Sequence, residues 1–134
     1  MGFLTDTGFI PECSLKELHS LDYLYIESNH DVEMYKRSSK PRHVIRRNLG
    51  HTGHLSNDQC GLALGTVGLD QCRMVLLGHI SEDDNEPWLA LNSAGRHLKP
   101  ATALASAPAR VPGPWSDIWK QLLLNNMAGK VVPK

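Results

Sequence analysis

The stretch 50–57, Gly-His-Thr-Gly-His-Leu-Ser-Asn, constrains this 134-residue chain more than any other. It places His51 and His54 in a glycine-hinged loop directly before the expected start of a helix. Ser56 stands at the N-cap position, and Gln59 three residues later completes a capping-box pattern. A helix N-terminus presents free N–H groups and the positive end of the helix dipole, so an anion is favoured there. We therefore expect this loop to form part of a functional site.

The sequence around this loop alternates short apolar strands with helices, which is typical of an α/β fold. The expected strands cover 2–5, 21–27 and 73–77. The expected helices cover 14–19, 32–37, 43–48, 57–67 and 87–96. Asp31 is the expected N-cap of the second helix, and Pro87 opens the last of them. In the helix 57–67 we expect Leu62 and Leu64 to point inward and the two glycines to allow close packing.

A change of composition divides the chain into three parts. Residues 1–98 form the expected domain, 99–114 are rich in Ala, Pro, Ser and Gly and are typical of a linker, and 115–134 carry an amphipathic helix and tail. The three cysteines show no C-x-x-C spacing, so a reducing, cytoplasmic setting is expected. We expect no membrane segment.

Net charge does not indicate a dominant nucleic-acid-binding face, since Lys+Arg and Asp+Glu are equal at 14 each. The basic run 36–47 is a local candidate for such a face. A solvated loop and helix face is the alternative interpretation of the same run.

Polar residues follow the expected strands at the positions where α/β folds build their sites. Asp6, the cluster 27–31, His54 and His79 all have this placement. Aspartate and histidine are the ligand set for zinc or manganese. Taken one at a time, Asp6 could instead cap a turn and His79 could be a core histidine.

Four segments in one order resemble the second half of a metallo-β-lactamase-fold hydrolase. They are Thr-Asp-Thr-Gly at 5–8, Glu-Ser-Asn-His-Asp at 27–31, Gly-His-Leu-Ser-Asn at 53–57 and Leu-Gly-His-Ile-Ser at 77–81. The likeness is greatest to the bacterial branch of small phosphodiesterases and exonucleases linked with cell-wall regulation, and ribonuclease Z is more distantly similar. The resemblance covers about residues 2–91. It implies one half of an αβ/βα sandwich, a mixed sheet with helices on one face, plus the appended C-terminal helix.

The resemblance implies a role for each matching residue. Asp6 would bridge two metal ions, zinc or manganese, and His79 would bind one of them. His54 would be catalytic, positioning the scissile phosphate or donating a proton. The expected supporting residues around the site are Glu27, Asn29, His30, Asp31 and Ser56. His51 has no counterpart in the pattern and is expected to be an exposed loop histidine.

The chain departs from the family pattern because no H-x-H-x-D-H run occurs in it. Asp6 and His79 alone supply too few ligands for two ions. The resemblance therefore implies a metal-dependent phosphodiesterase or nuclease that is truncated and inactive alone. It would require a partner that carries the N-terminal half, or self-association. Two alternatives stay open: a non-catalytic interaction module, and a nucleic-acid binder that uses Arg42, Arg46 and Arg47.

Overall fold

The structure is a computed structural model that describes residues 1–108. It contains four strands and five helices within that range. In chain order the elements are β1 (Gly2–Leu4), α1 (Glu12–Leu18), β2 (Tyr23–Glu27), α2 (Val32–Lys36), α3 (Arg42–Asn48), α4 (Asn57–Val67), β3 (Met74–Gly78), α5 (Pro87–Gly95) and β4 (Ala103–Ser106). The expected α/β class is confirmed.

The four strands form one sheet in the order β1-β2-β3-β4. Every pair of neighbours is parallel, with Phe3 opposite Tyr25 in one pair and Tyr25 opposite Leu76 in the next. Parallel neighbours require a crossover connection, and each connection in this chain contains at least one helix. The described sheet is therefore parallel throughout, whereas the sequence predicted a mixed sheet.

The two faces of the sheet are packed differently. One face carries the main hydrophobic core, in which Leu24, Ile26, Val75 and Leu77 from the strands pack against buried residues of α1, α4 and α5. The other face carries a smaller cluster built on Met74, Leu76 and Ala105, and no described helix contributes to it. The three described helices that contribute to the main core thus pack on one face, which is consistent with one half of a metallo-β-lactamase sandwich.

Helix α4 shows how the sequence specifies its own boundaries. Ser56 accepts a hydrogen bond from the Gln59 N–H and the Gln59 side chain accepts one from the Ser56 N–H, so the predicted capping box is confirmed. Close packing at Gly61 is also confirmed, because a Cβ there would lie 2.9 Å from the His97 ring of the segment after α5. The prediction for Leu62 was wrong. Its side chain is 60% exposed, since it lies on the face of α4 that turns away from the sheet.

Two segments differ most from the sequence prediction. Helix α1 begins at Glu12 after Pro11, with no side-chain cap, because proline fixes an extended backbone that leads directly into the first turn. Strand β4 lies inside the predicted linker 99–114, so 103–106 belong to the sheet: the β3 edge offers unpaired backbone groups to any extended segment. The predicted helix at 115–134 lies outside the described residues. Within the described range, no helix has both the length and the apolar character needed to cross a membrane.

Candidate metal centre

The carboxylate of Glu27 is the centre of the candidate site. Glu27 is the last residue of β2 and is fully buried. Its Oε1 accepts hydrogen bonds from the N–H groups of Thr7 (3.0 Å) and Leu55 (2.9 Å). Its Oε2 accepts one from the Asp6 N–H at 3.0 Å. These bonds tie the loops that follow β1 and precede α4 to the end of β2.

The same carboxylate orients two histidines. Glu27 Oε2 lies 3.2 Å from His54 Nδ1 and 2.9 Å from His79 Nδ1. A carboxylate only accepts hydrogen bonds, so a contact with Glu27 assigns the donor role to each Nδ1 and leaves Nε2 as the second nitrogen of each ring. The two rings meet edge to face, with centroids 4.9 Å apart. Carboxylate–imidazole pairs of this kind are what metal-binding histidines use to fix the tautomer and the ring orientation.

Asp6 completes a cluster with these two histidines. One ligand atom from each of Asp6, His54 and His79 lies within 4.8 Å of the other two. Asp6 follows β1, and His79 follows β3, so the cluster lies at the carboxyl edge of a parallel sheet. The Asp6 side chain is 70% exposed and that of His79 41% exposed, whereas His54 is more enclosed at 25%. A ligand can therefore reach the cluster from solvent.

The backbone at two of these residues has an uncommon conformation. Asp6 has φ of 56° and His79 has φ of 52°, and no other non-glycine residue in 1–108 has a positive φ. Asn29 Nδ2 donates to the His79 carbonyl at 2.7 Å, which helps to hold the His79 backbone in this conformation. Side chains in left-handed conformations are costly and are found most often where a site requires them.

The loop that carries His54 is fixed by close backbone contacts. The His54 N–H donates to the Asn48 carbonyl at 3.1 Å, at the end of α3. A Cβ on Gly53 would lie 1.9 Å from that same carbonyl oxygen, so only glycine fits. A Cβ on Gly8 would lie 2.0 Å from the Gly50 carbonyl oxygen, which brings the loop after β1 against the loop before α4.

The remaining predicted residues surround the cluster without joining it. Asp31 is the N-cap of α2 and accepts hydrogen bonds from two backbone N–H groups of its first turn, and Ser56 caps α4. His30 is fully buried, its ring stacks on Tyr35 at 4.7 Å, and neither ring nitrogen has a hydrogen-bond partner among the described residues. Burial lowers the pKa of His30.

Sequence reasoning missed a buried amide network behind the site. Ser28 Oγ donates to Asn57 Oδ1 at 2.7 Å, Asn57 Nδ2 donates to Asn85 Oδ1 at 2.8 Å, and Asn85 Nδ2 returns to the Ser28 carbonyl at 2.8 Å. It joins the end of β2, the first turn of α4 and the loop before α5. All three belong to residue types that usually lie on the surface, so no sequence pattern indicated their burial.

Tyr25 was also missed as a neighbour of the site. A Cβ on Gly78 would lie 1.8 Å from the Tyr25 hydroxyl, so the glycine at the end of β3 makes room for the phenol. Burial raises the pKa of Tyr25, and its hydroxyl interacts with the His79 backbone. The glycine before a site histidine is the only sequence signal for this contact.

The donor set of the cluster fits one divalent transition-metal ion. One carboxylate and two imidazoles with their Nδ1 atoms already engaged match the ligands of open zinc sites, in which three protein groups leave a position for water or substrate. The same three groups do not make a full shell for two ions.

Comparison with known proteins finds similar proteins that are all described as exodeoxyribonucleases. It is 32% identical over 99 residues to the exodeoxyribonuclease YycJ of Bacillus anthracis, a match that covers 74% of this chain and 38% of that protein. It is 32% identical over 104 residues to the exodeoxyribonuclease WalJ of two Streptococcus pneumoniae strains, D39 and R6 (78% of this chain, 36% of those proteins). The chain is a homologue of the YycJ and WalJ exodeoxyribonucleases. No family model and no solved structure matches it.

These relatives support the resemblance to the exonuclease branch of metallo-β-lactamase-fold hydrolases. The matched part spans between a third and two fifths of the length of each relative. The activity that the relatives' names state therefore belongs to much longer proteins.

Proposed function

We propose that this chain contributes one side of the active centre of a metal-dependent nuclease-type hydrolase. The observation that carries the proposal is the buried Glu27 carboxylate, which holds the Nδ1 atoms of both His54 and His79 beside Asp6. The homologues named exodeoxyribonucleases support a DNA phosphodiester as the substrate class.

In this proposal Asp6 and His79 bind zinc or manganese, and Glu27 orients the ligand. A divalent ion in such a site supplies Lewis-acid stabilisation of a phosphodiester oxygen and lowers the pKa of water. The chain itself holds His79 in one tautomer, presents Asp6 from an exposed loop, and keeps His54 rigid between them. His54 then positions the phosphate or moves a proton at its Nε2 atom.

A second assignment of His54 is favoured by one specific observation. Glu27 holds His54 as it holds His79, so His54 could equally be the third ligand of the same ion. Titration calorimetry with zinc separates the two roles. If His54 is catalytic, His54→Ala keeps the metal affinity of the wild type, whereas His79→Ala loses it. If His54 is a ligand, both variants lose affinity to a similar degree.

The ligand count leads to a partner proposal. Because Asp6, His54 and His79 are the cluster found among the described residues and supply only one incomplete shell, a two-metal centre requires further donors, which a half-domain that carries H-x-H-x-D-H or a second copy of this chain would supply. On this proposal the chain alone binds metal weakly and does not hydrolyse DNA.

Reconstitution tests the proposed function. The chain is mixed with the H-x-H-x-D-H half of a family member, and release of nucleotides from labelled DNA is measured with zinc or manganese. We expect activity only when both halves are present, and we expect Asp6→Ala to abolish it. His54→Ala should slow turnover by roughly 10²–10⁴ if it is an acid or base. Activity that survives Asp6→Ala would reject the assignment.

A further inference from the structure

Helix α3 and the loop that follows it present a basic and aromatic surface next to the candidate metal centre. Arg42, His43, Arg46 and Arg47 are all exposed. Successive residues of an α-helix are rotated by about 100°, so these four side chains fall within an arc of about 140°. The opposite side of α3 carries the partly buried residues Val44, Ile45 and Asn48. The outer face of α3 is thus continuously basic.

These arginines are not used by the fold. Within residues 1–108, none of Arg42, Arg46 and Arg47 takes part in an ion pair or a side-chain hydrogen bond, whereas Lys36, Lys40 and Lys99 all pair with acidic groups. The first turn of α3 carries no acidic residue. Three unpaired guanidinium groups on one short helix repel one another, so the surface is suited to an anionic partner.

The basic face leads directly to the metal cluster. The Gly50 N–H donates to the Arg47 carbonyl at 3.0 Å, and the His54 N–H donates to the Asn48 carbonyl at 3.1 Å. Only five residues separate the end of α3 from His54. A polymer that runs along the outer face of α3 toward its C-terminal end therefore reaches the loop that carries His54.

An exposed aromatic pair joins the two loops that carry Asp6 and His54. Phe9 is 44% exposed and meets the exposed ring of His51 edge to face, with centroids 4.7 Å apart. Phe9 belongs to the loop after β1 that carries Asp6, and His51 belongs to the loop that carries His54. Aromatic rings beside a basic groove are the combination with which proteins hold single strands, because every base can stack.

We propose that Arg42, Arg46 and Arg47, together with Phe9 and His51, form the surface that holds single-stranded DNA as its end enters the site. This rests on the proposed function, and deepens it by assigning the substrate contacts. Helix α3 is about 10 Å long, and the phosphates of one strand recur about every 3.4 Å along the B-DNA axis, so the arginines can contact two or three phosphates. Phe9 and His51 stack on a base near the end, and His51 therefore has a function that the sequence pattern did not assign.

Fluorescence anisotropy with a labelled poly-dT oligonucleotide tests the proposal on the whole chain. EDTA is present, so binding does not depend on metal or hydrolysis. The charge variant is Arg42→Ala/Arg46→Ala. The matched control is Arg73→Ala/Arg96→Ala, which removes two exposed arginines that lie before β3 and after α5, at the opposite edge of the sheet.

The charge variant should bind about tenfold or more weakly at low salt, and its slope of log Kd against log[salt] should fall by about 1.4, or ~0.7 for each lost phosphate contact. The control should match the wild type in both quantities. Phe9→Ala and His51→Ala should weaken binding by about five- to a hundredfold and leave the slope unchanged, since they remove stacking and no arginine charge.

Three outcomes would overturn the proposal: no binding by the wild type, equal loss in the charge variant and its control, or binding to anionic lipid vesicles in place of the oligonucleotide. Thermal melts of all variants show whether each is folded.

The outcome of this experiment is separate from that of the test of the proposed function. If zinc affinity and reconstituted activity are present but the charge variant binds the oligonucleotide as the wild type does, only the proposed DNA surface is wrong. If the variants behave as expected but zinc does not bind, only the proposed metal centre is wrong.

Discussion

Replacement of Glu27 by glutamine changes one atom of the side chain and should disable the site. The amide offers one acceptor oxygen where the carboxylate offered two, and its nitrogen must face donors that now lack a partner. If the nitrogen replaces Oε1, the N–H groups of Thr7 and Leu55 lose their acceptor. If it replaces Oε2, the Asp6 N–H loses its acceptor, and both imidazoles must accept at Nδ1.

The magnitude follows from the number of orphaned donors. Each buried donor without a partner costs about 1–3 kcal/mol, so the first arrangement costs about 2–6 kcal/mol. The second leaves only one backbone donor unpaired, but the histidines then carry their proton on Nε2 and cannot bind metal. The second arrangement orphans fewer donors, so we expect Glu27→Gln to adopt it and to lose about 1–3 kcal/mol of unfolding free energy, together with zinc binding.

Urea denaturation and zinc calorimetry on one preparation check this prediction. For a domain of this size, a loss of 1–3 kcal/mol corresponds to a midpoint lower by about 0.5–1.5 M urea. The control is Glu17→Gln, an exposed carboxylate on α1, which should leave the midpoint and the zinc affinity unchanged. A Glu27→Gln midpoint within measurement error of the wild type would refute the placement of Glu27 at the centre of the site.

Three further predictions test the structure around the site. Burial lowers the pKa of His30, so the unfolded chain binds a proton that the folded chain excludes, and stability should fall as the pH drops below about 6.5. His30→Phe also removes two unpaired ring nitrogens, so the variant should have the higher unfolding free energy at pH 7. In urea titrations, the difference in unfolding free energy from the wild type should grow by at most about 2 kcal/mol between pH 6.5 and pH 5. Asp31→Ala removes the side-chain cap of α2 and should lower the unfolding free energy by about 1 kcal/mol, with no change in zinc affinity. Gly53→Ala should cost more than about 3 kcal/mol because its Cβ would overlap the Asn48 carbonyl, whereas Gly95→Ala, whose Cβ would make an ordinary contact at 3.6 Å from Leu104 Cδ2, should be neutral or slightly stabilising in the same melts.

The fold was predictable where local chemistry specifies it. The strand Met74–Gly78 is a continuous apolar run and is buried along its whole length, as expected for the interior of a parallel sheet. Asp31 and Ser56 are N-caps in the structure as in the sequence, because a side-chain oxygen that binds the first N–H groups of a helix acts over a few residues.

Long-range contacts could not be predicted in the same way. Residues 103–106 look like a linker by composition, and they form a strand only because the β3 edge is next to them. Nothing in the local sequence shows that Glu27, which is 52 residues from His79, accepts hydrogen bonds from three backbone N–H groups and two imidazoles. The resemblance placed Glu27 near the site as a supporting residue, but its central position is a property of the assembled strand ends.

The strained backbone at Asp6 and His79 indicates that the strand ends carry a functional site. A left-handed conformation at a non-glycine residue costs of order 1–3 kcal/mol, and both instances in 1–108 fall on members of the three-residue cluster. Each is held from outside the residue: the Asp6 N–H is bound by Glu27, and the His79 carbonyl is bound by Asn29. Glu27, which orients the imidazoles, thus also holds the strained turn that presents the Asp6 carboxylate. A fold that needed only to connect strand to helix would place glycine at both positions and avoid this cost. The chain instead keeps aspartate and histidine there, as expected if their side chains bind a ligand.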